Sequence, residues 1–183
     1  MKNILLVGAS SDVAISIYQE YKEKYNFIRL SRNISHSDIH NFNILDSNTF
    51  FSSDIKYDGI VYFPGTINLK PFRNLNTDDF YNDFDINVMG LVKILKFYIP
   101  KLNRNSSLVF ISSLAGKIGM PFHCSVSVAK SAIVGLCYSL AAELAPNTRV
   151  NCVSPSLFKS KMASRLLRNI KSEEKIKNNR KFT

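Results

Sequence analysis

Short, wholly apolar runs separated by longer amphipathic stretches constrain this chain most. Residues Asn3–Gly8 read NILLVG, Gly59–Phe63 read GIVYF and Ser107–Ile111 read SLVFI. Runs this short, with no polar alternation, suit strands buried on both faces, as in a parallel sheet. Further strands are expected at Phe27–Ser31 and Thr148–Val153, with a weaker pattern at Ile39–Ile44. Helical spacing fills the intervals. Between Ser11 and Lys24, Val13, Ile15, Ile17 and Tyr18 reach inward while Glu20, Lys22, Glu23 and Lys24 stay in water. From Thr77 to Leu102, Ile86, Met89, Val92, Leu95, Ile99 and Leu102 recur every three or four residues, and Asp78 and Asp79 favour a helix start at Thr77. Cys124–Ala145 predicts a second long helix, stopped by Pro146, and Leu157–Ile170 a short amphipathic one. Strands alternating with helices predict an α/β fold, a doubly wound parallel sheet of six strands in one domain.

The chain of 183 residues is long enough for one such domain, and 45% hydrophobic with 21% charged residues argues against disorder. That domain is expected over residues 1–170, followed by a basic, mobile tail at 171–183. Of the +10 net charge, the segment Lys159–Thr183 carries +7, because nine basic residues there oppose only Glu173 and Glu174. Such a tail can bind polyanions, but no aromatic residues interleave with its charges, so a solvated helix end is the expected reading and nucleic acid is not an expected partner. No apolar run approaches the ~18 residues of a spanning helix, which argues against a membrane protein. The N-terminus lacks the long apolar core of a signal peptide. Cys124, Cys137 and Cys152 lie in apolar segments. They argue against a disulfide framework or a metal site and for a reduced, cytoplasmic protein.

In a doubly wound sheet, ligands bind beyond the carboxyl ends of the strands where the winding reverses. The first strand there runs into Gly8-Ala9-Ser10-Ser11-Asp12-Val13-Ala14. A strand, a tight turn of small residues and a helix start bring backbone N–H groups toward a phosphate. Taken together with the motifs further along, this turn resembles that of the short-chain dehydrogenase/reductase family of Rossmann-fold oxidoreductases, and the likeness runs the length of the chain. The family's glycine motif TGxxxGxG is similar to Val7–Ala14, and its NNAG motif to Tyr62-Phe63-Pro64-Gly65. Its helix asparagine falls on Asn87, its catalytic serine on Ser113 and its YxxxK motif on Val126–Lys130. The stretches Val134-Gly135-Leu136, Ser139–Pro146 and Arg149-Val150-Asn151 are typical of the family. Its later Pro-Gly motif is similar to Pro155-Ser156, with Ser160 in place of the following threonine.

The resemblance implies a nicotinamide cofactor held by Gly8, Ser10, Ser11, Asp12, Val13, Gly65, Lys130, Pro155 and Ser160, with Asn43 beside the adenine. After the second strand no acid is present to hold a ribose hydroxyl. Ser31 and Arg32 favour a 2′-phosphate, so NADP is expected over NAD. The resemblance further implies catalytic roles for Ser113, Lys130 and Asn87, a small carbonyl or alcohol substrate and a homo-oligomer, a dimer formed through the two long helices.

Three departures stand out. Asp12 and Ala14 occupy the second and third glycine positions, and Asp12 tolerates a pyrophosphate only if its carboxylate turns away, for example to cap the helix. Val126 replaces the tyrosine that would exchange a proton with the substrate, and valine has no proton to give. His123 is a tentative substitute, sharing a helix face with Val126 and Lys130 if the helix starts that early; otherwise it is a polar residue at a helix start. The chain also ends after the sixth predicted strand, where the family continues with a helix, a seventh strand and a C-terminal segment, so the expectation is a truncated member or one whose end a partner supplies. Three functions therefore compete: an NADP-linked oxidoreductase with an impaired proton relay, a non-catalytic nucleotide-binding or scaffold protein, and an inactive remnant.

Overall fold

The computed structural model describes residues 1–34 and 37–156. The helix expected at Leu157–Ile170, the basic tail and Ser160 lie outside the described residues. Within them, six parallel strands form one sheet: β1 (Lys2–Val7), β2 (Tyr25–Ser31), β3 (Ile39–Asn41), β4 (Tyr57–Tyr62), β5 (Leu102–Ile111) and β6 (Thr148–Val153). Their spatial order is β3-β2-β1-β4-β5-β6. The winding reverses between β1 and β4, where Val7 sits beside Tyr62. This is the doubly wound Rossmann-like arrangement expected from the alternation, with β6 at one edge of the described sheet.

One sheet face carries Leu5, Val7, Ile60, Tyr62, Leu108, Phe110 and Val150 in register across β1, β4, β5 and β6. Helices α3 (Gly90–Tyr98) and α4 (Cys124–Leu144) complete the core there with Leu91, Ile94, Leu95, Tyr98, Ala129 and Ile133, and α2 (Thr77–Phe84) precedes α3. Each such side chain stabilises the fold by ~1.5–3 kcal/mol on burial. Helix α1 (Asp12–Tyr21) starts directly after the turn at the end of β1. Arg29 of β2 pairs with Asp38 at 2.5 Å beneath the ring of Tyr18, tying β2, the start of β3 and α1 together.

Several boundaries differ from the sequence reading. The strand expected at Ile39–Ile44 ends at Asn41, because the Asn43 side chain accepts from the Leu45 N–H and turns the chain. The helix expected at Thr77–Leu102 is four pieces. It starts at Thr77 as expected, where Asn76 caps α2 in a reciprocal capping box with Asp79. A π turn at Asp85–Met89 separates α2 from α3, and a 3₁₀ turn at Ile99–Lys101, containing Pro100, ends the run. Leu102 therefore starts β5 rather than closing a helix face. The expectation about membranes also needs correction. By length and composition α4 is long and apolar enough to span one, because a serine-rich helix need not show an unbroken apolar run. It packs against β5, β6 and α2.

The π turn is held from the sheet. The Ile86 carbonyl within it accepts from the Tyr62 hydroxyl at 2.8 Å, and burial pushes the Tyr62 phenol's pKa upward. Tyr62→Phe leaves that carbonyl buried without its donor, so unfolding free energy should fall by about 1–3 kcal/mol. Urea denaturation measures it, and an unchanged midpoint would show that Tyr62 does not hold the turn.

Candidate active site

The site begins at the switch point. Gly8 has φ +82°, a left-handed conformation that suits glycine, and a Cβ there would meet Pro64 Cδ at 3.0 Å. The Gly8 and Ala9 N–H groups both donate to the Leu30 carbonyl at 2.9 Å, which binds the turn to β2. Ser11 caps α1 by accepting from the Ala14 N–H at 3.2 Å. The cap is thus Ser11, and Asp12 is the first helical residue, where the helix dipole favours a carboxylate. Ala14 is fully buried, so the methyl group at the third glycine position is accommodated, while Val13 stays partly exposed.

At the end of β2 the two expected phosphate ligands part. Ser31 is only 3% exposed; its hydroxyl donates to Ser10 Oγ at 2.8 Å and accepts from the Asn33 N–H. These two bonds brace the turn after β1 against the end of β2. Arg32 is exposed. Asn43 is exposed too, with its Oδ1 accepting from the Leu45 N–H.

The expected catalytic residues come from three places: the segment after β5, the π turn, and α4 with its N-terminal boundary. Ser113 comes directly after β5, and its oxygen accepts from the Ala115 N–H at 3.2 Å, leaving its proton for another acceptor. Its neighbour Ser112 is buried and donates to the Lys130 carbonyl at 2.8 Å, locking α4 to the end of β5. Lys130 is 8% exposed and its ammonium donates to the Ile111 carbonyl at 3.0 Å. Asn87, fully buried in the π turn, donates to Thr66 Oγ1 at 2.8 Å and to the Asp83 carbonyl at 2.7 Å. Gly65 lets these groups approach: a Cβ there would lie 2.9 Å from Asn87 Oδ1 and 3.0 Å from Lys130 Nζ. The Pro155 carbonyl accepts from the Leu114 N–H at 3.0 Å, joining the ends of β5 and β6 behind Ser113.

Val126 is 4% exposed, so a side chain at this position is buried. His123 stands at the boundary of α4, which begins at Cys124. Its Nδ1 lies 2.6 Å from the Pro121 carbonyl, a contact that needs the proton on Nδ1 and leaves Nε2 as the acceptor of the neutral ring. Just before it, Phe122 has φ +68° and its carbonyl accepts from the Lys70 N–H, so the loop after β4 crosses to the loop before α4. The sequence reading missed Ser112, Thr66 and Asp83. Asp83 carried one usable signal, since it lies four residues before Asn87 on the same helical run.

This fold and site define a doubly wound α/β protein with a serine, an asparagine and a lysine gathered at the carboxyl ends of its strands. The family profile described as enoyl-(acyl carrier protein) reductase matches residues 49–182. Among curated proteins, the chain is 37% identical over 105 residues to dehydrogenase/reductase SDR family member 4 of Rattus norvegicus, covering 55% of this chain and 38% of that one. It is 40% identical over 81 residues to the short-chain dehydrogenase/reductase SDRA of Arabidopsis thaliana, covering 44% and 32%. Those matches span about a third of the relatives' length. A glucose/ribitol dehydrogenase structure from Brucella melitensis superposes with TM-score 0.81 at 24% identity, covering 92% of this chain and 77% of that one. ElxO with NADP bound superposes with TM-score 0.79 at 19% identity, covering 95% and 81%. The chain belongs to the short-chain dehydrogenase/reductase family of oxidoreductases, whose members bind a nicotinamide cofactor.

Burial pushes the Lys130 ammonium down to about 8, against the opposing pull of Cys152 and Asp83. The unfolded chain therefore holds this proton more tightly than the folded one. The resulting destabilisation is complete below pH ~8 and is relieved as pH rises toward the ordinary lysine value. Lys130→Met should accordingly raise stability at pH 7 by roughly 1–3 kcal/mol. The gain should shrink by pH 10, as thermal melts at the two pH values would show; a loss at pH 7 would contradict it.

Proposed function

We propose that this chain is an NADP-linked oxidoreductase acting on a small carbonyl or secondary alcohol. The observation that carries the reading is the convergence of Asn87 and Lys130 on Gly65, with Ser113 held at the end of β5. The cradle fits a dinucleotide. The left-handed Gly8 turn and the N-terminus of α1 suit a pyrophosphate, exposed Arg32 a 2′-phosphate, and Asn43 the adenine edge. When bound, the nicotinamide supplies or accepts a hydride. Lys130 then holds the ribose hydroxyls by charge-assisted hydrogen bonds, and the free Ser113 proton polarises the substrate oxygen. The proton that the oxygen gains comes from His123 as imidazolium through Nε2, or from water. ElxO, crystallised with NADP, supports the choice of cofactor by fold alone.

A cytoplasmic homo-oligomer belongs to the same reading. Tyr81, Met89, Val128 and Tyr138 are exposed along α2, the π turn and α4, where an apolar surface suits a second copy. The competing reading is a nucleotide-binding scaffold, and the buried Val126 favours it, because no hydroxyl reaches the site from that position.

NADPH should bind more tightly than NADH, and Arg32→Glu should remove the preference. Charge-assisted contacts contribute ~1.5–3 kcal/mol, about ten- to a hundredfold in affinity. Fluorescence titration with both cofactors measures it, and equal wild-type affinities would refute the assignment.

Val126→Tyr tests the chemistry. It places a phenol one helical turn before Lys130, and acid catalysis contributes about 10²–10⁴ in rate. The enlarged side chain must enter a packed position, costing about 1–3 kcal/mol of stability. A carbonyl reductase rate at least tenfold above wild type is expected. If wild type and variant are both inactive while NADPH binds, the scaffold reading replaces the enzyme.

A further inference from the structure

Asp83 is 2% exposed, a buried acid outside the residues that the family resemblance assigns to the site. A carboxylate only accepts hydrogen bonds, so the hydroxyl of Thr66 must donate to Asp83 Oδ1. The Thr66 oxygen is then an acceptor, and it takes one N–H of the Asn87 amide at 2.8 Å. The second N–H of that amide goes to the Asp83 carbonyl at 2.7 Å. Both amide donors are committed. Among the described residues Asn87 Oδ1 has no donor, and it is buried where Gly65 lacks a Cβ, beside the Lys130 ammonium. An amide turned the other way would aim N–H groups at that ammonium and its oxygen at the Thr66 oxygen.

We propose that Asp83 is a positioning residue that acts through the Thr66 hydroxyl to fix the direction of the Asn87 amide, so that a carbonyl oxygen faces Lys130. The chain of donors runs one way, from the Asn87 amide to the Thr66 hydroxyl to the Asp83 carboxylate, and the negative charge at its end sets that direction. The titratable groups acting on Lys130 from the packed elements are Asp83 of α2 and Cys152 of β6, and both favour the charged lysine. The importance of Lys130 to a cofactor rests on the proposed function, but the orientation of Asn87 does not. Asp83 thereby supports the charge of a group that would contact ribose without touching ribose or substrate itself.

The test tracks the Lys130 side chain directly, by NMR titration of its ¹³Cε resonance in the protein without cofactor. Three variants are compared with wild type: Asp83→Asn, Thr66→Val and Thr66→Ser. The wild-type midpoint is expected near the value of about 8. Asp83→Asn lets an amide donate to Thr66 and reverses the chain, and Thr66→Val keeps the carboxylate but cuts the link. Each should lower the midpoint by at least ~0.5 unit, while Thr66→Ser restores the wild-type value. An unmoved midpoint in both lowering variants overturns the proposal. A shift in Asp83→Asn alone means that the charge acts through space, and overturns the route through Thr66. Should Asp83→Asn fail to fold, the two Thr66 variants still decide: Thr66→Val unmoved overturns it, Thr66→Val lowered with Thr66→Ser restored supports it. Failure of wild type to bind NADPH would count against the proposed function and leave these midpoints untouched.

Discussion

The buried ammonium of Lys130 is the group around which the candidate site is organised. A charge taken out of water needs compensation from fixed dipoles and opposite charges. Here the Ile111 carbonyl accepts from it, Asn87 Oδ1 stands beside it and Asp83 opposes it from α2. Ser112 clamps the Lys130 carbonyl, so the helix that carries the ammonium cannot slide along β5. Gly65 contributes by lacking a side chain, because any Cβ would occupy the space between the amide oxygen and the ammonium.

The π turn serves the same end from the other side. A regular helix from Thr77 to Tyr98 would place Asn87 by helical period alone. The wider turn at Asp85–Met89 instead re-aims the amide, with Tyr62 accommodating one of its carbonyls and Thr66 and Asp83 holding its side chain. Wide turns of this kind interrupt helices most often at functional sites. The segment is thus part of the site's construction, and its hydrogen bonds reach both β4 and the loop after it.

Val126 separates two tasks that the family resemblance joins at one place. In the proposed function, holding a ribose and polarising an oxygen fall to Lys130 and Ser113, both positioned here by backbone hydrogen bonds. Moving a proton requires a titratable group in reach, and Val126 lies in the packing with none to offer. His123, at the head of the same helix, has its Nδ1 tied to the Pro121 carbonyl, so only Nε2 can take part.

Much of this protein was legible in its sequence. Apolar runs and their separation determined the alternation of strands and helices, hence a parallel sheet, because burial period is a local property of the chain. The motifs around Gly8, Gly65, Asn87, Ser113 and Lys130 located the site at the ends of its strands for the same reason. The tertiary structure alone decided which polar atoms meet. It turned Ser31 inward to Ser10, made Ser11 rather than Asp12 the helix cap, interrupted the long helix at Asp85 and set Asp83 against Thr66. Those outcomes depend on groups many residues apart, Thr66 and Asp83 among them, competing for the same donors in a space from which water is excluded. A pattern read along the chain records which residues are buried, but not which partner each buried oxygen finds.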